Sequence, residues 1–294
     1  MEMNKRLAGY LSAASLLLLL LIPALTAQAQ QIISSVPVTD TLRPLAVTQS
    51  QTEEEEFIKP SRPSVANPAE IQKAGVLQVE YGYDANLRAA EFRTEQTATL
   101  ALRFAASSRL LLEADLDTVK SQTDETGVRM TGIGDTRLGF QVVALHDTEQ
   151  HPALAFAYYI KLPSASENKG LGTGRVDHKI LLLLSRKFGE VDMDLNGAYL
   201  IVGRENETGW VTGGQGALSF SGEFENGFGL EGELSGQTKD DVQPKGLFAL
   251  GALTYKVNRR LIFDAGLRFG LNADAPRVGV FAGLTVGAFD LRKK

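Results

Sequence analysis

Apolar and polar residues alternate with period two over long stretches of this chain, and that alternation limits what it can fold into. Thr136, Leu138, Phe140, Val142 and Ala144 fall on one face, against Asp135, Arg137, Gly139 and Gln141 on the other. Leu154, Phe156, Tyr158, Ile160 and Leu162 repeat the pattern, as do Val191, Met193, Leu195, Gly197, Tyr199 and Ile201. Side chains of a strand point alternately to its two faces, so each stretch reads as a strand with one apolar and one wetter side. Globular strands are mostly about five or six residues long, whereas a tilted strand needs about 9–11 to cross a bilayer. Long alternating strands, with no long apolar run in the body of the chain, imply an all-β fold: a transmembrane antiparallel up-and-down barrel.

From Gly75 to about Asp290 the alternation hardly stops, and it yields about twelve strands, an even number as in bacterial single-chain barrels. Leu247 to Tyr255 is apolar on both faces, so its register is open. The connections alternate in length. Ala105–Ser108, His146–His151, Lys187–Gly189, Glu225–Gly227 and Val257–Arg259 are short, and Asn226-Gly227 is a hairpin signal. Thr118–Arg129, Pro163–Gly174, Arg204–Gly209, Thr238–Lys245 and Asn272–Pro276 are longer and polar. Outer-membrane barrels have short periplasmic turns and longer outside loops, so both ends of the barrel are expected in the periplasm. A soluble sandwich or lipocalin-like barrel would turn its apolar faces inward; strand length and loop asymmetry favour the membrane form.

Residues 1–29 read as a secretory signal peptide: Lys5 and Arg6, an apolar core from Leu11 to Leu25, and Ala27-Gln28-Ala29 as the cleavage site. The alternative is an uncleaved anchor. Residues 30–74 are polar and proline-rich, with an acidic block at Glu53–Glu56. Too little apolar surface is available there to offset ordering entropy, so a disordered, flexible periplasmic extension is expected. Formal charge is −5, and removal of Glu2, Lys5 and Arg6 makes it −6, which argues against a nucleic-acid partner. Cysteine is absent, which excludes disulfides and thiolate chemistry.

No catalytic residue, metal site or cofactor is read from the sequence. Gly132-x-Gly134 and Gly170-x-Gly172-x-Gly174 lack the strand-then-helix setting of a nucleotide loop. His146, His151 and His178 lack metal-ligand spacing. A lipid-acting enzyme would need His178 paired with a serine such as Ser166 or Ser185, and a structural histidine is the plainer reading.

Charges on the strands must face the lumen or the barrel ends, since lipid excludes them. Asp192, Asp194, Glu223, Glu231 and Glu233 form one candidate selectivity wall. Arg93, Arg103, Arg109, Arg260, Arg268 and Arg277 lie on or beside the first and last strands, and all of these except Arg109 form the facing basic wall. The competing reading is that arginine–carboxylate pairs brace the wall and fill the lumen.

Several short motifs resemble one family. They are Phe57-Ile-Lys-Pro-Ser-Arg-Pro-Ser, Gly75-Val-Leu-Gln-Val-Glu-Tyr-Gly-Tyr, Gly132-Ile-Gly-Asp-Thr-Arg-Leu-Gly-Phe, Lys161-Leu-Pro-Ser, Gly172-Thr-Gly-Arg-Val-Asp and Asn196-Gly-Ala-Tyr. In this order they are similar to the outer-membrane barrels grouped under the MetA pathway of phenol degradation. The resemblance covers Phe57 to the C-terminus and carries over no catalytic residue. It implies a porin-like transporter of a Gram-negative outer membrane, with lipid, the barrel insertion machinery and small-molecule solutes, aromatic or apolar ones included, as partners. A non-conducting structural barrel is the alternative. One departure from that family is that Phe289 is followed by Asp290-Leu-Arg-Lys-Lys rather than closing the chain.

Overall fold

The computed structural model describes residues 56–88, 92–204, 208–239 and 245–292; the expected signal peptide and residues 30–55 of the expected extension lie outside the described residues. The strands, numbered in chain order, are β1 (Val76–Leu87), β2 (Thr94–Ala105), β3 (Leu110–Thr123), β4 (Arg129–Gly132), β5 (Thr136–Leu145), β6 (Ala153–Leu162) and β7 (Asp177–Phe188). They continue with β8 (Val191–Gly203), β9 (Trp210–Glu223), β10 (Phe228–Gln237), β11 (Gly246–Asn258), β12 (Leu261–Gly270) and β13 (Val278–Asp290).

Each long strand pairs antiparallel with its neighbours, β2 also pairs with β3, and β1 pairs with β13, so the sheet closes. β4 pairs with the far end of β3 alone, and β5 takes over at Leu116↔Thr136, so twelve strands form the wall and β4 is an outlying flap. Closure removes the two free edges that an open sheet would expose. Thr118–Thr123 was expected in a loop, yet β3 runs on through it. The apolar alternation fades there because, Val119 apart, both faces of this overhang are polar, while the backbone keeps pairing with β2 and β4.

The wall is inside-out relative to a soluble protein. Tyr81, Leu102, Leu112, Leu138, Phe156, Leu182, Leu195, Phe220, Leu230, Leu253, Phe263 and Val280 are exposed on the outside. Gln78, Arg103, Asp115, Gln141, Asn196, Ser219, Glu233, Asp264 and Thr285 are buried on the inside. A soluble monomer rarely exposes an apolar patch beyond a few hundred Å², so a continuous apolar belt requires lipid around it. The register left open at Leu247–Tyr255 is resolved: Phe248, Leu250 and Ala252 are buried inside, and Leu247, Leu253 and Tyr255 face out. Aromatic residues sit outside near both ends. Phe228 and Tyr255 have ring centroids 4.7 Å apart at the end with short turns, and His178 lies 5.2 Å from Trp210 at the end with long loops.

Residues 56–74 are not a free extension. They enter the lumen at its turn end, rise to mid-barrel, fold back and lead into β1. Phe57 and Ile58 pack against Val76 and Ile262 near the turn end. Arg62 reaches Asp264 at mid-barrel, and Glu70 returns to His146 at the turn end. The segment has no apolar core of its own: apart from apolar contacts of Phe57, Ile58 and Ala69 with the wall, its partners are polar side chains of the inner wall.

Candidate functional site

The lumen is the candidate site, and its turn-end half is filled by this hairpin-like segment. On the rising arm, Gln78 and Lys59 exchange hydrogen bonds of 2.9 Å, and the backbone N–H and hydroxyl of Ser61 donate to Glu80 at 3.0 Å. Arg103 is fully buried. It donates to Glu80 at 3.1 Å, to Glu113 at 3.0 Å and to the Lys59 carbonyl at 2.7 Å. At the apex, Glu233 accepts the backbone N–H of Val65 at 2.6 Å and of Ala66 at 2.8 Å. On the descending arm the Ser185 hydroxyl accepts the Ala69 N–H at 2.7 Å, and Gln141 donates to the carbonyls of Pro68 and Ala69. Ala69 also packs against Ala153, Ala155, Ala157, Leu181 and Leu183, the lumen's largest apolar patch.

The ten charges expected to form facing walls are distributed differently. Arg103 and Arg268 are buried in the lumen but neutralised by close neighbours, Arg268 by Asp84 at 3.0 Å. Glu233 and Asp194 face inward and are engaged, Asp194 accepting the Ser185 hydroxyl. Glu231 lies beside Ser64, and Asp192 faces inward opposite Lys187 and Ser221. Glu223 is half-exposed at the turn end and pairs with Lys256 at 2.9 Å. Arg260 lies in a turn, its guanidinium 4.3 Å from the Phe57 ring centroid. Arg93 and Arg277 are exposed at the loop end and are not among the residues that line the cavity described below. The basic wall is thus a correction: its members are dispersed because loops and turns carry three of its five arginines. The buried members are braced by carboxylates and by the luminal segment.

Above the apex, towards the loop end, lies a cavity of about 210 Å³. Its floor is made by Ser61, Arg62, Pro63, Ser64, Val65 and Asn67, and its walls by inward residues of most strands. Three of the short sequence motifs meet at its rim. Arg137 pairs with Asp115 at 3.0 Å; Lys161 pairs with Asp135 at 3.3 Å and with Asp177, and donates to Thr173 at 3.1 Å. Sequence reasoning passed over this cluster because the partners lie on separate strands and only the closed register joins them.

The serine–histidine alternative is not assembled. His178 points outward, with Nδ1 2.7 Å from the Tyr158 hydroxyl, while Ser185 lies on the same strand facing inward. Gly170 and Gly174 both have φ near +65°, which places them as turn residues in the β6–β7 loop.

The sequence model of the family described as "Putative MetA-pathway of phenol degradation" matches residues 61–287. The chain belongs to this family. Among solved structures, the COG4313 outer membrane channel from Pseudomonas putida F1 is similar with TM-score 0.56 and 14% identity, covering 76% of this chain and 98% of that one. The KdgM porin aligns with TM-score 0.47 and 10% identity over 72% of this chain and 99% of that one. An outer membrane phospholipase A from Escherichia coli aligns with TM-score 0.42 and 13% identity over 75% and 94%. No curated protein matches the sequence. The family match and the P. putida likeness agree with the closed barrel described above. The family's matched region starts inside the luminal segment, at Ser61, so that segment belongs with the barrel in sequence as well as in space.

Proposed function

We propose that this family member is an outer-membrane channel through which small molecules move passively, with its turn end in the periplasm and its loop end outside. The observation that carries this reading is the inside-out wall: a belt of apolar residues around a polar lumen that still holds a cavity. Lumen-lining charged side chains are what set selectivity in such pores. A second reading, a structural barrel that conducts nothing, draws on residues 56–74 filling the turn-end half of the lumen. Single-channel recording of the purified protein in planar bilayers separates the two. Small, discrete conductance steps are expected, with swelling of protein-loaded liposomes in small amino acids. Phenol in the same swelling assay tests the aromatic solutes implied by the family description. Silent bilayers and unswollen liposomes would leave the structural reading standing.

A further inference from the structure

The strand register that closes the wall also lines up three arginines at the loop end. Leu87 of β1 pairs with Thr94 of β2 and with Val278 of β13. One position further out, Arg88 therefore has Arg93 on one side and Arg277 on the other. Backbone hydrogen bonds tie the row together: the Arg88 N–H donates to the Arg93 carbonyl at 2.9 Å, and the Arg277 N–H donates to the Leu87 carbonyl at 3.2 Å. Asn86 and Glu95, two residues further in on β1 and β2, line the cavity. With period two, the arginines share that lumen-side register and stand at its lip. All three are exposed.

Like charges directly opposite one another destabilise a sheet, and other cations at this end are matched with carboxylates. Arg137 pairs with Asp115, Lys161 with Asp135 and Asp177, Arg268 with Asp84, and Lys120 with Glu95. Among the described residues, the side chains of Arg88, Arg93 and Arg277 form no ion pair and no hydrogen bond. Their row neighbours leave them open. Gly270, whose N–H donates to the Arg277 carbonyl, has no side chain. Asp124 follows Arg93 on the β3 side, but its Oδ1 accepts from Thr126 and Val128 within its own turn. The middle arginine is also strained. Arg88 has φ +57°, in the left-handed region that glycine enters freely, and it is the one non-glycine residue with positive φ among the described residues. Strain kept at a side chain that braces nothing points to a use outside the fold.

We propose that Arg277, Arg88 and Arg93 form an anion-capture site at the loop-end mouth, which takes small organic polycarboxylates from solution. A guanidinium offers paired donors that match the two oxygens of a carboxylate. Directly opposite residues stand about 4.5–5.5 Å apart at Cβ, so the row serves carboxylates spaced along one short solute. The lumen-side register favours such a solute over lipid phosphates, which would meet the outer side of the wall. The inference deepens the channel reading by naming its solute class; it rests on that reading for the solute's route but not for its binding.

The test is saturation-transfer NMR on the purified full-length protein in neutral detergent at about pH 8. The probes are propionate, succinate and tricarballylate, with one, two and three carboxylates. Each added carboxylate should tighten binding about threefold, within the range of an exposed ion pair. Raising salt from about 50 to about 500 mM should weaken tricarballylate most, because exposed charges are screened. Arg88→Gln, Arg93→Gln and Arg277→Gln combined should make the three probes bind alike, whereas Arg129→Gln, at an exposed arginine outside the row, should leave the series intact. Arg88→Gly should weaken tricarballylate about threefold and leave the thermal midpoint no lower, because glycine relieves the left-handed backbone. Faster gel migration of unboiled than of boiled protein checks that each variant keeps the barrel. An ungraded series, a series that survives the triple change, or a lowered midpoint with unchanged affinity in Arg88→Gly would overturn the proposal. So would lipid A in the micelles that tricarballylate cannot displace. Graded binding in a silent barrel removes the channel reading alone, and conductance with ungraded binding removes this site alone.

Discussion

Single side chains decide whether the lumen stays filled, and Glu233 is the clearest case. Two backbone N–H groups at the apex of the luminal segment donate to the same oxygen, Oε2, while Oε1 accepts no hydrogen bond within ordinary geometry among the described residues. A hydrogen bond to a charged group contributes about 1.5–3 kcal/mol, against about 0.5–1.5 for a neutral one. Glu233→Gln keeps an acceptor but removes its charge, so the two bonds together should lose about 2 kcal/mol, or roughly thirtyfold in the equilibrium that holds the apex. From the sequence alone, changing Glu231 and Glu233 to Gln reads as a change of ion selectivity; with Glu233 gripping Val65 and Ala66, the expected result is a looser segment. A cysteine at Asn67 reports on it cleanly, because the chain has no other. Its maleimide labelling should accelerate about thirtyfold in the Gln variant. An unchanged labelling rate would mean that Glu233 is not what holds the apex. Arg103 belongs to the same class of residue: it bridges Glu80, Glu113 and the Lys59 carbonyl, so it ties strands and segment together rather than presenting free charge to the lumen.

At the scale of elements, strands and turns were legible in the sequence, and the luminal segment was not. Period-two alternation marked the wall strands, and Asn226-Gly227 marked its hairpin, where Gly227 has φ +81° and an added Cβ would come 2.8 Å from the Lys256 carbonyl oxygen. Residues 56–74 escaped for a physical reason. Their partners are far along the chain, Arg62 to Asp264 and Val65 to Glu233, and those partners are polar. Composition rules for disorder ask whether a segment can bury apolar surface, and this one buries only a few apolar side chains, Phe57, Ile58 and Ala69 among them, and adds hydrogen bonds to a polar interior. The loop-end cavity shares that illegibility, since Asp84, Asn86 and Glu95 line it together with Arg137 and Lys161 only once the barrel has closed. Topology is tested on elements too. Asp124 is the hub of the β3–β4 turn, accepting from Thr126 and Val128, and the Thr126 hydroxyl is the first of the bonds that hold its carboxyl below the usual aspartate range. A depressed carboxyl supports the turn at neutral pH and loses that role on acidification, so Asp124 is best left intact. A cysteine at Glu125 should react with a membrane-impermeant maleimide on intact cells, and one at Gln150 in the β5–β6 turn should react only after lysis. The reverse pattern would invert the proposed orientation.

For the whole molecule, the question is whether the segment is structurally required or is an obstruction the barrel holds. The wall closes through strand ladders that do not involve residues 56–74, including the β1–β13 seam from Val76↔Asp290 to Leu87↔Val278. Several inner-wall pairs also survive without it, because Arg103 keeps Glu80 and Glu113, Arg137 keeps Asp115, and Arg268 keeps Asp84. Other groups lose close partners: Asp264 loses Arg62, and Glu233 loses its two backbone N–H donors. In an emptied lumen, water would reach them, so the penalty for an unmet buried charge largely disappears. Removing residues 57–70 should therefore leave a closed, heat-modifiable barrel with a wider passage. Small twelve-stranded barrels lie between those filled by their own side chains and the wide porins, so what occupies the lumen decides the conductance. Single-channel conductance of the deletion variant is expected to rise severalfold over the full chain. Its selectivity should become more dependent on salt, since the unscreened carboxylates of β8 to β10 and Asp264 then face an aqueous pore, where charge acts over about 8 Å at physiological salt. An equal conductance in the two proteins, with the barrel shown closed by its gel mobility, would mean that ions pass elsewhere or not at all, and the segment would then be a structural filling.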